Sequence, residues 1–162
     1  MKRLLIIAAA VWMCVFGAAL ATEEKAKIPS LKLLSSLVGV SASSQEFKDV
    51  LRDYHFHKSS KSDNSWVSCG LFLVELRNGR VQVGMRPPSD ATNMPVYSGE
   101  LPKGLKAGDS IDEIQQKLGA PLSTTYDPGT YYEMNFAGIT VYTMQGKLFE
   151  VWLIPPKSDK AE

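Results

Sequence analysis

The chain is poor in the residues that carry most covalent cross-links and most enzyme chemistry. Its 162 residues include only two cysteines and two histidines, which excludes a disulfide-rich scaffold. Neither sign of charge is in excess, because 18 lysines and arginines face 17 aspartates and glutamates, so a uniform positive field for nucleic acid is absent. The sequence also has no Walker loop, no G-x-G-x-x-G loop and no G-x-S-x-G motif. We therefore predict no nucleic-acid partner, no cofactor and no enzyme activity.

Residues 1–21 have the pattern of a secretory signal. Lys2 and Arg3 precede an apolar run that ends in small residues suited to a signal peptidase. We expect this segment to be cleaved, which leaves Cys69 as the one cysteine and the mature chain without a disulfide. Because exported chains that lack disulfides and glycosylation sequons suit a bacterial periplasm, we expect a periplasmic protein with no stable membrane insertion. A membrane anchor and a lipid on Cys14 are the alternatives.

The rest of the chain has the form of one unit written twice, at a spacing of 67 to 68 residues. Ser43 and Glu46 match an S-x-x-E capping box, and Ser110 and Glu113 match a second one. Each box predicts a helix with one apolar stripe, and Gly119 is suited to ending the second helix. The stripe residues are Phe47, Val50, Leu51 and Tyr54 in the first copy and Ile111, Ile114 and Leu118 in the second.

Each predicted helix is followed by a predicted meander of three strands. Alternating apolar residues and the turn pairs at 78–79 and 145–146 indicate antiparallel hairpins. In the last strand, Phe149, Val151 and Leu153 alternate and are expected to face the core. The predicted strands lie within 66–68, 70–76 and 81–85 in the first copy and within 131–136, 138–144 and 149–153 in the second.

This repeat predicts an α+β fold made of two helix-plus-meander units. Residues 22–95 are the first repeat and residues 96–162 the second, and the segment 88–104 connects them. A single unit of about 60 residues buries too little apolar surface to be stable alone. We therefore expect both units to share one antiparallel sheet in a single compact domain, with the helices packed on one face and the other face open.

The segment 105–121, which reads LKAGDSIDEIQQKLGAP, resembles a motif of small exported bacterial proteins, those of the β-lactamase-inhibitor-protein-like and SmpA/OmlA-like families. The shared pattern is a glycine, a capping serine, an acidic residue, spaced aliphatic residues and Leu-Gly-x-Pro. The resemblance implies tandem helix-plus-meander copies in one curved sheet and a protein-binding role. The first copy departs from the motif, because residues 54–56 read Tyr-His-Phe where Leu-Gly-x-Pro would stand.

Aromatic residues are in surplus on the strand positions that alternate with the predicted core. In the second copy, for example, Ile139 and Val141 alternate with Tyr142 and Met144. Tyrosine, tryptophan and methionine are common anchors of protein interfaces, so we predict a partner-binding surface on the open face. The alternative is that a tail, a loop or the other copy covers these side chains. The predicted partner-binding residues are Trp66, Phe72, Tyr131, Tyr142, Met144 and Trp152.

Two clusters of polar residues have a chemical interpretation and a structural one. His55 and His57, spaced i, i+2, would with Cys69 supply three ligands for a zinc hydrolase; the alternative, which we favour, is two loop imidazoles beside a packed, inert thiol. Asp109, Asp112 and Glu113 form the one tight acidic cluster. We interpret this cluster as structural, because acidic side chains complement the positive end of a helix, and an acid/base pair or a cation site is the alternative.

Taken together, the sequence predicts an exported module that binds an enzyme or a secreted toxin. The expected role is that of an inhibitor or an immunity protein, as in a toxin–antitoxin pair, which occludes its partner. The alternative is a scaffold or outer-membrane assembly factor of the bacterial envelope, of the SmpA-like type. The identity of the partner stays open.

Overall fold

The computed structural model describes residues 27–88, 94–127 and 131–156. The predicted signal segment 1–21 and Cys14 lie outside these residues. Within the described ranges, none of the helices has both the length and the apolar character that a membrane span requires.

The described residues form one eight-stranded antiparallel sheet accompanied by helices. The helices are α1 (Leu31–Leu37), α2 (Gln45–Asp53) and α3 (Ile111–Leu118), and a short 3₁₀ turn spans Pro102–Gly104. The strands are β1 (His57–Lys58), β2 (Ser65–Ser68), β3 (Leu71–Glu75), β4 (Val81–Met85), β5 (Ser123–Asp127), β6 (Tyr131–Phe136), β7 (Ile139–Met144) and β8 (Lys147–Leu153). Their order in the sheet is β1-β2-β3-β4-β8-β7-β6-β5, so two meanders meet where β4 pairs with β8. The predicted α+β class with a single antiparallel sheet is confirmed.

One face of the sheet, the helix face, is apolar and packs against the helices. Leu73 of β3, Val83 of β4 and Val151 of β8 have no exposed surface and belong to a single core cluster. Burial of each such side chain contributes about 1.5–3 kcal/mol to folding. The helices contribute Leu34, Leu37, Phe47, Val50 and Ile114 to the same cluster.

The starts of α2 and α3 correspond to the two predicted capping boxes. At α3, the Ser110 hydroxyl accepts a hydrogen bond from the Glu113 N–H at 3.3 Å, and the Glu113 carboxylate accepts one from the Ser110 N–H at 2.8 Å, so this box is confirmed. The first box is wrong by one residue. Ser44 rather than Ser43 caps α2, and its hydroxyl accepts from the Phe47 N–H at 3.2 Å. Phe47 has no polar side-chain atom, so it cannot accept a hydrogen bond from the Ser44 N–H in return, and the capping box stays incomplete.

The helix α1 and the strands β1 and β5 go beyond the sequence prediction, as does the 3₁₀ turn. The helix α1 has 7 residues, with no acidic residue in its first turn and no basic residue in its last, so it carries few of the signals that mark a helix. It nevertheless buries Leu34 and Leu37 completely. Strands β1 and β5 are the two edges of the sheet, and their polar residues give no alternating pattern.

The connector 88–104 contributes to the core. Tyr97 is 1% exposed, its N–H donates to the Arg86 carbonyl at 2.7 Å, and its hydroxyl donates to the Pro29 carbonyl at 3.2 Å. The connector backbone passes so close to Gly70, in the turn before β3, that a Cβ at this position would overlap it. Glycine is therefore required there by the close approach and also by its φ of +76°.

A register shift between β7 and β8 changes which β8 residues reach the core. Leu148 is 1% exposed and takes the core position, while Phe149 is the extra residue of the bulge and packs beside the Arg86 side chain. The prediction that Phe149 faces the core is therefore wrong, because a bulge shifts the alternation by one residue. The same prediction is confirmed for Val151 and Leu153, which are buried.

Candidate functional site

The face of the sheet opposite the helices, called the open face, carries side chains in rows that cross the strands. The aromatic row runs from Thr140 through Trp152 and Gly84 to Phe72, on four neighbouring strands. The Trp152 ring lies against Gly84, where an added Cβ would come within 2.9 Å of three ring atoms. The Phe72 and Trp152 rings stack with their centroids 6.0 Å apart and an angle of 26° between their planes. The missing side chain at Gly84 thus allows the indole to lie close to the sheet where β4 meets β8.

A second row, the acidic row, runs beside the aromatic row. Glu133 on β6 pairs with Tyr142 on β7, and Tyr142 pairs with Glu150 on β8. The row continues to Arg86, which directly follows β4 and bonds to Glu150. Tyr142 therefore stands between two carboxylates that belong to neighbouring strands on either side.

The ion pair between Arg86 and Glu150 joins the two rows. The Arg86 Nε donates to Glu150 Oε1 at 2.9 Å, its Nη2 donates to the same oxygen, and both side chains are 14% exposed. The guanidinium carbon lies 4.8 Å from the Phe72 ring centroid and 5.2 Å from that of Phe149. The Trp152 indole N–H donates to the other Glu150 oxygen at 3.1 Å. Packing and hydrogen bonds together hold the charged pair and the indole in one arrangement.

The phenol of Tyr142 is held in its neutral form. Its ring meets the Tyr131 ring edge-on, with centroids 5.5 Å apart and planes at 72°. Burial first, and then the Glu133 charge and a hydrogen bond to Glu133, raise the pKa of Tyr142 to about 12; Tyr131 and Glu150 add to this rise. At neutral pH Tyr142 therefore keeps its proton.

Glu133 gives the acidic row a net negative charge. Its Oε1 accepts a hydrogen bond from the Asn135 amide at 3.0 Å, and the Asn135 carbonyl oxygen accepts one from the Thr140 hydroxyl at 2.6 Å. Among the described residues Glu133 takes part in no ion pair, whereas Glu150 is paired with Arg86. The acidic row thus has two carboxylates and one guanidinium.

A shallow hollow opens on this face beside Tyr142. Its volume is about 240 Å³, which is below the roughly 300 Å³ at which pockets for drug-sized ligands begin. The hollow is therefore better matched in size to one side chain than to a cofactor. It is lined by Gln82, Thr140, Tyr142, Glu150, Trp152 and Ile154.

Five of the six predicted partner-binding residues lie on the open face. Phe72 stacks on Trp152, and Tyr131 meets Tyr142, so the structure brings these four into two contacting pairs. Met144 lies on the same side of β7 as Tyr142 by strand alternation, next to the turn that leads into β8. These residues are half-buried, as expected for side chains that lie on a sheet with no helix over them.

The sixth residue, Trp66, was placed on the wrong face by the sequence prediction. Trp66 pairs with Leu73, a core residue, and packs edge-on against Phe47 of α2 with ring centroids 5.0 Å apart. It therefore belongs to the helix face. The strand β2 has four residues, S-W-V-S, and alternation over so short a strand does not distinguish its two faces. Val67 takes the open-face position instead.

The sequence prediction of the site omits the charged residues of the acidic row. Arg86, Glu133 and Glu150 are individually ordinary, and only pairing across strands brings them together. One signal was present in the sequence. Glu150 alternates with Trp152 in β8, so strand alternation puts both on the same face, and a carboxylate beside a half-buried indole needs a partner.

The three candidate zinc ligands do not assemble. His57 and Cys69 line a second cavity of about 200 Å³ together with Phe72 and Arg86, but His55 is not part of its wall. No group of three histidine, cysteine, aspartate or glutamate side chains lies at metal-binding distance in the part of the chain that the structure describes. The expectation that Cys69 is a packed thiol is also wrong. Cys69 is exposed, in the tight turn between β2 and β3.

The acidic cluster at the start of α3 has structural contacts. Asp109 is 6% exposed and accepts from the Lys117 ammonium at 2.6 and 2.7 Å. Glu113 belongs to the capping box, and the hydrogen bond from the backbone N–H of the N-cap residue holds the pKa of Glu113 below its usual value. Asp112 is exposed in the first turn, near the positive end of the helix. This geometry agrees with the structural interpretation of the cluster.

Comparisons of the chain with protein-family models, with curated proteins and with solved structures gave no match. The function therefore has to be argued from the geometry of the open face.

Proposed function

We propose that the protein is an exported, periplasmic module whose open face binds another protein. In this proposal it is an inhibitor or immunity protein that occludes a cognate enzyme or toxin and performs no turnover itself. The observation that carries the proposal is the aromatic row with the Arg86–Glu150 pair beside it, on the sheet face away from the helices. Tryptophan, tyrosine and arginine are the residue types that dominate binding energy in protein interfaces.

The fixed positions of these side chains support a binding role. Trp152 is held by the backbone at Gly84, by the Phe72 ring and by its hydrogen bond to Glu150. A side chain that is already ordered loses little conformational entropy when a partner covers it, and so more of its contact energy appears as affinity. Arg86 is held in place by the Glu150 carboxylate and the Phe72 ring. The open face is thus organised for binding before a partner arrives.

We also propose that the two meanders are tandem repeats, corresponding to residues 22–95 and 96–162. Equivalent hydrogen bonds support this. The Arg86 N–H donates to the Gly70 carbonyl at 2.8 Å, and the Ile154 N–H donates to the Gly138 carbonyl at 2.9 Å. The second equivalent pair of bonds joins Val81 to Val40 and Leu148 to Asp109. In each pair, the two hydrogen bonds join corresponding positions of the first and the second half. The open face combines residues from both halves.

The proposal is tested by capture from a periplasmic extract of the native host. The immobilised protein is compared with the double variant Phe72→Leu/Trp152→Leu, which removes the stacked rings but keeps apolar side chains. Tyr126→Leu is the matched control, because Tyr126 is 55% exposed and lies away from the aromatic row. Equal thermal unfolding of the three proteins shows that the fold is intact. The captured protein is then assayed for its own activity with and without this chain.

We expect the unchanged protein and Tyr126→Leu to capture the same protein and suppress its activity. The double variant should bind at least about tenfold more weakly, since loss of a hot-spot aromatic costs 2 kcal/mol or more. Equal capture by the double variant, or no capture by any of the three, would contradict the proposal. Capture of a resident outer-membrane complex whose activity is unchanged would favour the envelope scaffold instead.

A further inference from the structure

We infer that the hollow between Tyr142 and Trp152 receives a lysine or arginine side chain of the protein partner. This inference rests on the proposed function and adds to it the chemistry of the partner. It predicts that the recognised protein inserts a basic residue at the centre of the interface. Three features of the open face support this occupant over an acidic or an apolar one.

The first feature is the charge of the acidic row. Glu133 and Glu150 flank Tyr142 on the two neighbouring strands, and Arg86 compensates only Glu150. Arg86 already contacts two aromatic rings and a carboxylate, so it has little capacity left for a partner. The acidic row therefore has one negative charge in excess, which would repel a partner carboxylate and attract an ammonium or guanidinium group.

The second feature is the aromatic wall of the hollow. Tyr142, Trp152 and Glu150 all line it. Glu150 is the cross-strand partner of Tyr142 and accepts the hydrogen bond from the Trp152 indole. Aromatic faces attract lysine and arginine cations, most strongly when the contact is desolvated. A hollow that joins two aromatic rings to a carboxylate therefore favours a cation through both interactions.

The third feature is the size and polarity of the hollow. At about 240 Å³ it is open to solvent on one side and includes the side chains of Gln82 and Thr140. A long basic side chain can place its methylene stem along Ile154 and Trp152 and its charged end near the carboxylate. A purely apolar side chain would cover the Gln82 amide and the Glu150 carboxylate without offering either a polar contact.

The inference is tested by NMR titration of the purified protein with three small probes. These are Nα-acetyl-lysine amide, Nα-acetyl-arginine amide and Nα-acetyl-norleucine amide, which has an uncharged stem of similar length. The indole N–H signal of Trp152, assigned with Trp152→Phe, reports on the hollow. The indole of Trp66 is an internal control, because Trp66 packs against Phe47 on the other face. Glu133→Gln removes one charge of the acidic row, and Glu46→Gln is its matched control on the exposed side of α2.

We expect both basic probes to shift the Trp152 signal in a saturable way and to leave the Trp66 signal in place. Norleucine amide should have no such effect. Glu133→Gln should weaken the binding of the lysine probe about two- to fivefold, a change comparable with one exposed cation–π contact, and Glu46→Gln should leave it unchanged. An equal shift with norleucine amide, no shift with either basic probe, or equal binding by Glu133→Gln would overturn the inference.

The outcome separates this inference from the proposed function. If the capture experiment returns an inhibited partner that depends on Phe72 and Trp152, but the basic probes do not shift Trp152, protein recognition stands and the basic residue is wrong. If the basic probes bind at the hollow but no protein is captured, the cation preference stands and protein recognition is wrong.

Discussion

The two faces of the sheet are made by the same strands but have opposite character. On the helix face, Leu73 and Val83 are fully buried in a continuous apolar cluster. On the open face, the adjacent residues Phe72 and Gln82 are half-buried, and an ion pair and two tyrosines lie beside them. One residue step along a strand therefore separates a position buried in the core from one on the half-buried open face. Substitutions at neighbouring positions should have very different consequences.

The largest difference is expected between Leu73→Ala and Val74→Ala in β3. Leu73 is 0% exposed in the core, and its truncation should lower the free energy of unfolding by about 2–5 kcal/mol. Val74 is half-buried on the open face, where loss of two methyl groups should cost at most about 1 kcal/mol. Urea unfolding curves measure both. Equal destabilisation would show that the open face is also part of a packed core.

A smaller effect is expected at the charged pair on the open face. Arg86→Met should lower the free energy of unfolding by about 2 kcal/mol, less than for a fully buried pair, because it leaves the mostly buried Glu150 carboxylate without its guanidinium. Adding Glu150→Gln should recover part of this loss, since the uncompensated charge is then removed. A double-mutant cycle on unfolding free energies measures the coupling. Additive effects would show that the two side chains do not interact.

The smallest effect near neutral pH concerns Tyr142. Burial and the nearby Glu133 raise its pKa from 10.0 to about 12, so the folded state holds this proton more tightly than the unfolded state. The resulting stability is complete below pH 10 and is lost as the pH rises from 10 to about 12. Ultraviolet titration of tyrosinate should show late phenols, because burial also raises the pKa of Tyr97, and the one that Tyr142→Phe removes is Tyr142. Glu133→Gln should move the pKa of this phenol toward 10, and a Tyr142 that already titrates with exposed tyrosines would contradict the assignment.

Local patterns in the sequence predict much of the fold correctly. The capping box at Ser110 and the stripe of Phe47 and Val50 depend on residues within one or two helical turns, and both are found in the structure. The core positions of Val151 and Leu153 follow from simple alternation. The open-face positions of Phe72 and Tyr142 are also predicted correctly. Their strands are longer, and a longer strand carries enough residues for alternation to assign its two faces.

Features that depend on contacts distant in sequence are not predicted. The bulge that exchanges Phe149 for Leu148 is a property of the β7–β8 pair, and nothing in β8 alone marks it. Trp66 faces the helices because Phe47 is there to receive it. Tyr97 is in a segment without periodicity and is buried only because the connector passes over Gly70. The acidic row likewise exists only after four chain segments have paired.

The open face is complete only after β4 has paired with β8 during folding. Hairpins within each meander join segments that are close in sequence, whereas the contacts of Gly84 with Trp152 and of Met85 with Val151 close a very long loop and should form late in folding. Phe72 and Arg86 are synthesised well before Trp152 and Glu150. A nascent or truncated chain that ends before β8 would therefore have local hairpins but neither the aromatic row nor the acidic row on its open face.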